Sequence, residues 1–211
     1  MSQIENNWKF AEDYPVESPV LEKARKLSIE MGVDPVSRAT AAHLASVVAM
    51  TGSHSIAEIG TGLGVSGLSM LTSFPAVTLT TIDVESEYHR LARALFSDAN
   101  IAHTRVRFIN GPAENVLPRM NENSYDIVLI DGDPDRLLEY VEHSLRLVRP
   151  GGTVLVPRIL AEGSVANPAS RDQLSVDYRM LMAELADSEA VVTSLLPVGD
   201  GLLHITRLAE R

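Results

Sequence analysis

One carboxylate and a run of alternating glycines carry the first chemical signal in this sequence: Glu58-Ile59-Gly60-Thr61-Gly62-Leu63-Gly64-Val65-Ser66-Gly67. Alternating glycines let a backbone turn sharply and bring its N–H groups close to a ligand. Asp83 follows about twenty residues later, at the end of a second apolar run, where a carboxylate can accept both hydroxyls of a ribose. Gly111-Pro112-Ala113-Glu114 comes after a third run, where an adenine edge would lie, within reach of the Ala113 N–H or Glu114. Together these residues point to a nucleoside ligand.

Two ligand classes satisfy such a set. Gly62-x-Gly64-x-x-Gly67 matches the dinucleotide fingerprint. Against that match, Gly60 rather than Gly62 stands next to the strand, and Glu58 lies two residues before it. A pyrophosphate needs a cradle of N–H groups. The ammonium and carboxylate of S-adenosylmethionine need mixed polar groups instead, and Glu58 suits the amino-acid end, directly or through water. The reading favours S-adenosylmethionine as cofactor. An NAD(P)-dependent oxidoreductase and a non-catalytic nucleoside-binding protein stand as alternatives. Of the histidines, His43 lies on a helix face as a candidate acceptor-site base, His204 falls in the last strand as a structural residue, and His89, His103 and His143 read as surface positions.

The elements that must position these residues alternate in type. Residues 1–17 are polar and read as an irregular, flexible arm. Ser18-Pro19 opens a helix that Gly32 ends, and Asp34-Pro35 opens a second that Gly52 closes. Strands are expected at 55–59, 77–82, 105–109, 125–130 and 153–156. Helices are expected at 64–73, 86–97, 112–120 and 135–148. A polar loop at 158–170 precedes another helix. Residues 191–196 and 202–206 then flank Gly199-Asp200-Gly201 as a hairpin. Five β/α units imply an α/β fold, a doubly wound sheet that is mostly parallel with a C-terminal antiparallel hairpin. Residues 18–211 read as one domain with a two-helix N-terminal extension.

Composition narrows the partners. The 211 residues are 45% hydrophobic, enough for one sizeable core, and carry a formal charge of -10. No basic surface offers itself to nucleic acid or to a membrane, so a small-molecule acceptor is expected. The absence of cysteine excludes disulfides and thiolate metal sites and fits a cytoplasmic protein. The first thirty residues hold no apolar run of signal-peptide length, and the stretch at 41–50 is too short and interrupted to span a bilayer.

Taken in order, Glu58-x-Gly60-Thr61-Gly62-x-Gly64-x-Ser66, Asp83, Gly111-Pro112-Ala113, Ile130-Asp131-Gly132-Asp133 and Arg149-Pro150-Gly151-Gly152 resemble the catechol and caffeoyl-CoA type (family 3) O-methyltransferases. Within them the pattern is similar to a group of actinobacterial O-methyltransferases, over residues 18–208. The resemblance implies a class I methyltransferase, Rossmann-like sheet and transfer of a methyl group from S-adenosylmethionine to a small hydroxylated acceptor. It implies that Glu58, Gly60, Thr61, Gly62 and Ser66 line the methionine half of the donor. Asp83 and Val84 would meet the ribose, and Pro112 and Ala113 the adenine. Met31 and Val33 would belong to a segment covering donor and acceptor, and the 158–170 loop would help form the acceptor pocket. A homodimer is implied as well.

Asp131 would lie beside the sulfonium and at the first position of a divalent metal such as Mg²⁺. There the sequence departs from the family. The Asp-Asn pair expected after the fifth strand is Pro157-Arg158, and the lysine expected three residues after Asp131 is Pro134. A hard cation wants several oxygen ligands, so the metal position is degenerate unless Asp133, Asp135 or waters complete it. Asp131 and Arg158 remain the catalytic candidates, with Arg158 able to take over the charge of the metal.

Overall fold

Strands that are apolar on both faces need helices on both faces, and this constraint organises the chain. The computed structural model describes residues 2–209; positions 1, 210 and 211 of the expected arm and domain lie outside them. Seven strands form one sheet: β1 (Ser55–Ile59), β2 (Thr78–Asp83), β3 (Val106–Asn110), β4 (Tyr125–Ile130), β5 (Val148–Pro157), β6 (Val191–Leu196) and β7 (Leu202–Arg207). Their order is β3-β2-β1-β4-β5-β7-β6. The first five run parallel, β7 is antiparallel to β5, and β6 is antiparallel to β7. The expected mixed, doubly wound sheet is therefore present.

Eight α-helices are described: α1 (Gln3–Asp13), α2 (Pro19–Glu30), α3 (Arg38–Thr51), α4 (Val65–Ser73), α5 (Ser86–Asp98), α6 (Ala113–Val116), α7 (Leu137–Leu147) and α8 (Gln173–Asp187). Alternate residues of the strands feed two cores. Ala57, Ile59, Val128 and Ile130 pack with α7 and α8, whereas Ile56, Ile127 and Leu129 pack with α2 through α5. Period-two alternation sends successive side chains to opposite faces, so Glu58 points to the same side as Ile56.

Three local expectations change. Residues 3–13 form a helix, not an irregular arm. Ser2 and Glu5 cap it reciprocally, Glu5 N–H donating to Ser2 Oγ at 3.2 Å and Ser2 N–H to Glu5 Oε2 at 2.6 Å. None of its residues is buried, so no apolar stripe announced it. The second expected helix begins at Arg38 with Ser37 as its cap, which leaves Asp34-Pro35 in a loop above the sheet. Arg149 to Gly152 lie within β5 as a bulge, the register shifting between the Tyr125–Val148 and Ile127–Thr153 pairs. Hydrogen bonds to β4 on both sides of the bulge carry the strand through a Pro-Gly-Gly sequence that reads as a loop.

The strand order reverses between β1 and β4, and ligands in such sheets bind outside the carboxyl ends of the strands at that point. Gly60 leaves β1 there with φ +91°, its N–H donating to Ile82 O at 2.9 Å. Asp131 leaves β4 beside it, its N–H donating to Ile59 O at 2.8 Å. A Cβ on Gly60 would fall on the Asp131 carbonyl, 2.6 Å from its carbon.

Gly60→Ala is therefore expected to destabilise by roughly 3 kcal/mol or more, since the obstruction is backbone. Gly32→Ala, also at positive φ but with nothing within 4 Å, should cost only about 1 kcal/mol. Urea denaturation of the two variants checks the contrast; equal losses would mean that the close approach carries no weight.

Candidate active site

Glu58 is where the sequence most needs an explanation, because a carboxylate in the middle of a buried strand must be paired. It is fully buried. Ser66 Oγ donates to Oε1 and Thr81 Oγ1 to Oε2, each at 2.6 Å. Thr61 Oγ1 lies 2.6 Å from Thr81 Oγ1, and His89 Nε2 lies 3.0 Å from Thr61 Oγ1. A hydroxyl has one proton to give. With Thr81 donating to an ionised Glu58, Thr61 must donate to Thr81, and His89 must donate from Nε2 to Thr61. Burial pushes His89 below its ordinary range, which favours the neutral ring, here in the tautomer with its proton on Nε2. Burial also pushes Glu58 up, to about 7, against the hydroxyls of Ser66 and Thr81.

This network corrects two expectations. Glu58 does not line the cavity at the switch point; it holds Ser66 and the strand-to-helix turn from behind. His89 is buried, not a surface residue. Its signal was available in the sequence: His89, Ala92 and Phe96 fall at helical spacing, and all three lie on the buried face of α5.

The other residues singled out in the sequence converge, apart from Met31, which does not line the site. Val33, Gly60, Thr61, Gly62, Ser66, Asp83, Val84, Pro112, Ala113, Asp131 and Arg158 all line one cavity of about 950 Å³. Asp83 is held by backbone: Gly62 N–H donates to Oδ2 and Glu85 N–H to Oδ1, each at 3.0 Å. Each oxygen keeps a lone pair for a further donor. Ser66 spends its proton on Glu58 and so offers the cavity only lone pairs. Glu114 lies 3.4 Å from Arg136.

On the far side, Asp131 is mostly buried and paired with Arg158. Burial raises its carboxyl to about 6 against the lowering pull of that guanidinium. Arg158 NH1 also donates to Asp34 O at 3.0 Å. Residues that sequence reasoning did not place here are Asp34, read as a helix start, and Tyr88 and Tyr140, whose cavity position follows from tertiary packing alone. His43 and His204 face each other at 3.1 Å between Nε2 atoms, and neither lines the cavity. His43 is thus no acceptor-site base.

The donor set does not fit a divalent cation. The Asp131 carboxylate faces a guanidinium. Asp133 is exposed and turns Oδ1 to the Asp135 N–H at 3.1 Å. Among the described residues no group of three or more His, Asp or Glu could hold a metal ion.

Comparison with known proteins agrees with this geometry. The sequence profile of a family described as O-methyltransferase matches residues 11–208. A Mycobacterium avium protein bearing an O-methyltransferase name is 40% identical over 207 residues, covering 98% of this chain and 93% of its own. A Mycobacterium tuberculosis protein with the same kind of name is 38% identical, covering 98% and 92%. A crystal structure of a Corynebacterium glutamicum protein superposes with a TM-score of 0.90 at 28% identity, over 100% and 99% of the two chains. The O-methyltransferase TomG from Streptomyces achromogenes, solved in complex with S-adenosylmethionine, shares the fold with a TM-score of 0.85 at 24% identity, over 99% and 100%.

The raised pKa of Glu58 links stability to pH. A carboxyl whose pKa rises on folding binds its proton more readily folded than unfolded. Its contribution is fully present below the ordinary value near 4.5 and is lost as pH rises to about 7. Wild type should therefore weaken between pH 5 and pH 8, by up to ~3 kcal/mol from this group. Glu58→Gln should flatten that slope. Urea midpoints across the window measure it, and an unchanged slope would show Glu58 to be ionised throughout.

Proposed function

The chain belongs to the O-methyltransferase family, a family of enzymes, and from that premise we propose that its cavity binds S-adenosylmethionine and delivers the methyl group to an oxygen of a small acceptor. The observation that carries the proposal is Asp83. Its two oxygens, each with a backbone N–H already in place and a lone pair to spare, suit the vicinal hydroxyls of a ribose. The turn from Gly60 to Gly64 would wrap the amino-acid half of the donor. Ser66, left with lone pairs only, suits its ammonium. Ala113, as the first residue of α6, has no intrahelical acceptor for its N–H and would meet the adenine, with Pro112 beside it. Val33, whose side chain comes within 3.2 Å of a Cβ placed on Gly62, would close over the donor. Glu58 would act through Ser66 and Thr61 and not by contact.

Methyl transfer is an in-line displacement at a sulfonium carbon, so alignment supplies much of the rate. The end of β4 brings Asp131 to the place where the sulfonium would face the acceptor. The dinucleotide reading finds no support in the family match. A non-catalytic role finds none either, since the family and the relatives carry O-methyltransferase descriptions.

The proposal includes a cytoplasmic homodimer. The cysteine-free sequence fits the location, and no helix among the described residues is long and apolar enough to cross a membrane. The exposed Ile4, Phe10 and Tyr14 of the N-terminal segment and Val192 and Leu195 of the edge strand β6 supply apolar surface for a second copy.

Titration calorimetry with S-adenosylhomocysteine is expected to show binding, and NADH none. Asp83→Ala should weaken that binding about 100-fold through two lost charge-assisted hydrogen bonds, near 3 kcal/mol. Binding of NADH in place of the sulfur nucleoside would overturn the donor assignment. Light scattering should give twice the 22.9 kDa chain mass; a chain-mass species at micromolar concentration would end the dimer proposal.

A further inference from the structure

Arg158 is fixed more firmly than a loop cation needs to be. It follows Pro157 at the end of β5 with φ +60°, a left-handed conformation uncommon for a non-glycine residue. The chain after it is tied to the C-terminal hairpin turn. Ile159 N–H donates to Gly201 O at 3.3 Å, Leu160 N–H to Asp200 O at 3.0 Å and Glu162 N–H to Asp200 Oδ2 at 2.6 Å. The side chain then spans the cavity edge from Asp131 at the end of β4 to the Asp34 carbonyl in the loop between α2 and α3. A guanidinium carries five N–H donors in a planar fork. Two are engaged, and three remain for whatever occupies the cavity.

No nitrogen base stands ready on this side. Neither Lys nor His lines the cavity among the described residues. Burial pushes the Tyr178 phenol up to about 12, and its hydroxyl donates to Pro134 O at 3.4 Å. Asp131 is committed to Arg158. Other carboxylates line the cavity, and several are engaged: Glu114 with Arg136, Asp83 with two backbone N–H groups, Asp200 with Glu162 N–H. A neutral hydroxyl would find only carboxylates to take its proton, groups far less basic than an alkoxide or an ordinary phenolate. An oxygen that arrives ionised needs none. It would meet a planar cation whose free N–H groups match a carboxylate or phenolate.

We propose that Arg158 is a built-in cation for the acceptor, so that this enzyme methylates an oxygen already anionic at neutral pH, a carboxylate or an acidic phenol, without a bound divalent metal. The inference rests on the donor reading above. The acceptor oxygen uses a lone pair to form the new C–O bond. The C–S bond breaks with its electrons passing to sulfur, giving the methyl ester or ether and S-adenosylhomocysteine. No proton moves. The anion meets the sulfonium, and their charges cancel in the products, while Arg158 holds the oxygen in line until they do.

The test takes wild type, Arg158→Ala and Arg158→Lys, with S-adenosylhomocysteine titrated into each as a control on the donor site and on folding. Labelled methyl transfer is measured to benzoate, 4-nitrophenol, catechol and benzyl alcohol, with EDTA and with Mg²⁺. Mn²⁺ binding is read by electron paramagnetic resonance. The expected result is transfer to benzoate or 4-nitrophenol above the two neutral probes, unchanged by EDTA, with no Mn²⁺ bound more tightly than about millimolar. Which of the two ionised probes reacts separates a carboxylate acceptor from a phenolic one. Arg158→Ala should keep donor binding and lose about 100-fold in transfer. Arg158→Lys, which keeps Asp131 compensated, should lose at least about 10-fold through the missing fork. EDTA-sensitive activity restored by Mg²⁺, micromolar Mn²⁺ binding by wild type, preference for catechol, full activity in Arg158→Ala, or no transfer to either ionised probe would each overturn the proposal. Failure to bind S-adenosylhomocysteine would instead sink the donor reading.

Discussion

The close passage of two backbones at the centre of the sheet governs the rest of this structure. Where β1 and β4 end side by side, Gly60 lies against the carbonyl of Asp131 with no room for a side chain. That contact brings the glycine turn, which follows β1, to the same edge as the acid that follows β4. Every other part of the cavity is arranged around those two chain ends: Asp83 from β2 on one flank, Arg158 from β5 on the other, and the Val33–Asp34 loop above.

The electrostatics follow from burial. Glu58 and Asp131 are carboxyls withdrawn from water, and desolvation raises both. They are compensated in different ways. Glu58 receives hydroxyl protons in a closed network that ends at His89 and holds the turn from behind. Asp131 receives a guanidinium that also reaches across the cavity. The first arrangement is internal and suits positioning. The second keeps free donors at the cavity surface and suits contact with a ligand. The N-terminal segment joins the same assembly through Glu12, which accepts the Gly199 N–H at 2.6 Å and so touches the turn that fixes Arg158.

Much of the fold was legible because its signals are local. Ser18-Pro19, Gly52 and the Asp-Gly turn mark ends of elements through backbone chemistry that operates at a few residues' range. The parallel core was legible from its five strand–helix alternations. The cavity-lining residues were legible because glycines and acids at strand ends have few other reasons to be there. What the sequence hid depends on contacts distant along the chain. The role of Glu58 is set by Thr81 and Ser66, and its spacing from Gly60 cannot distinguish contact from support. The burial of His89 was visible in helical spacing but masked by its polarity. The continuation of β5 through Pro150-Gly151-Gly152 needs β4 alongside it, and local propensity argues the other way. The helix at Gln3–Asp13 has a capping box but no apolar stripe, so only half of its signal could be read.

Arg158 shows how a departure from a family pattern can carry information. The sequence alone offered a missing ligand pair and a cation of uncertain use. The structure turns that cation onto the one retained acid. The central claim, a sulfur nucleoside seated between Gly60 and Asp83 with its reactive end toward Asp131, is tested most directly by a crystal structure of the chain with S-adenosylhomocysteine. The account predicts ribose oxygens within hydrogen-bonding distance of both Asp83 oxygens and the sulfur facing the Asp131–Arg158 pair. A nucleoside bound outside this cavity, or seated in it with Asp83 untouched, would contradict it.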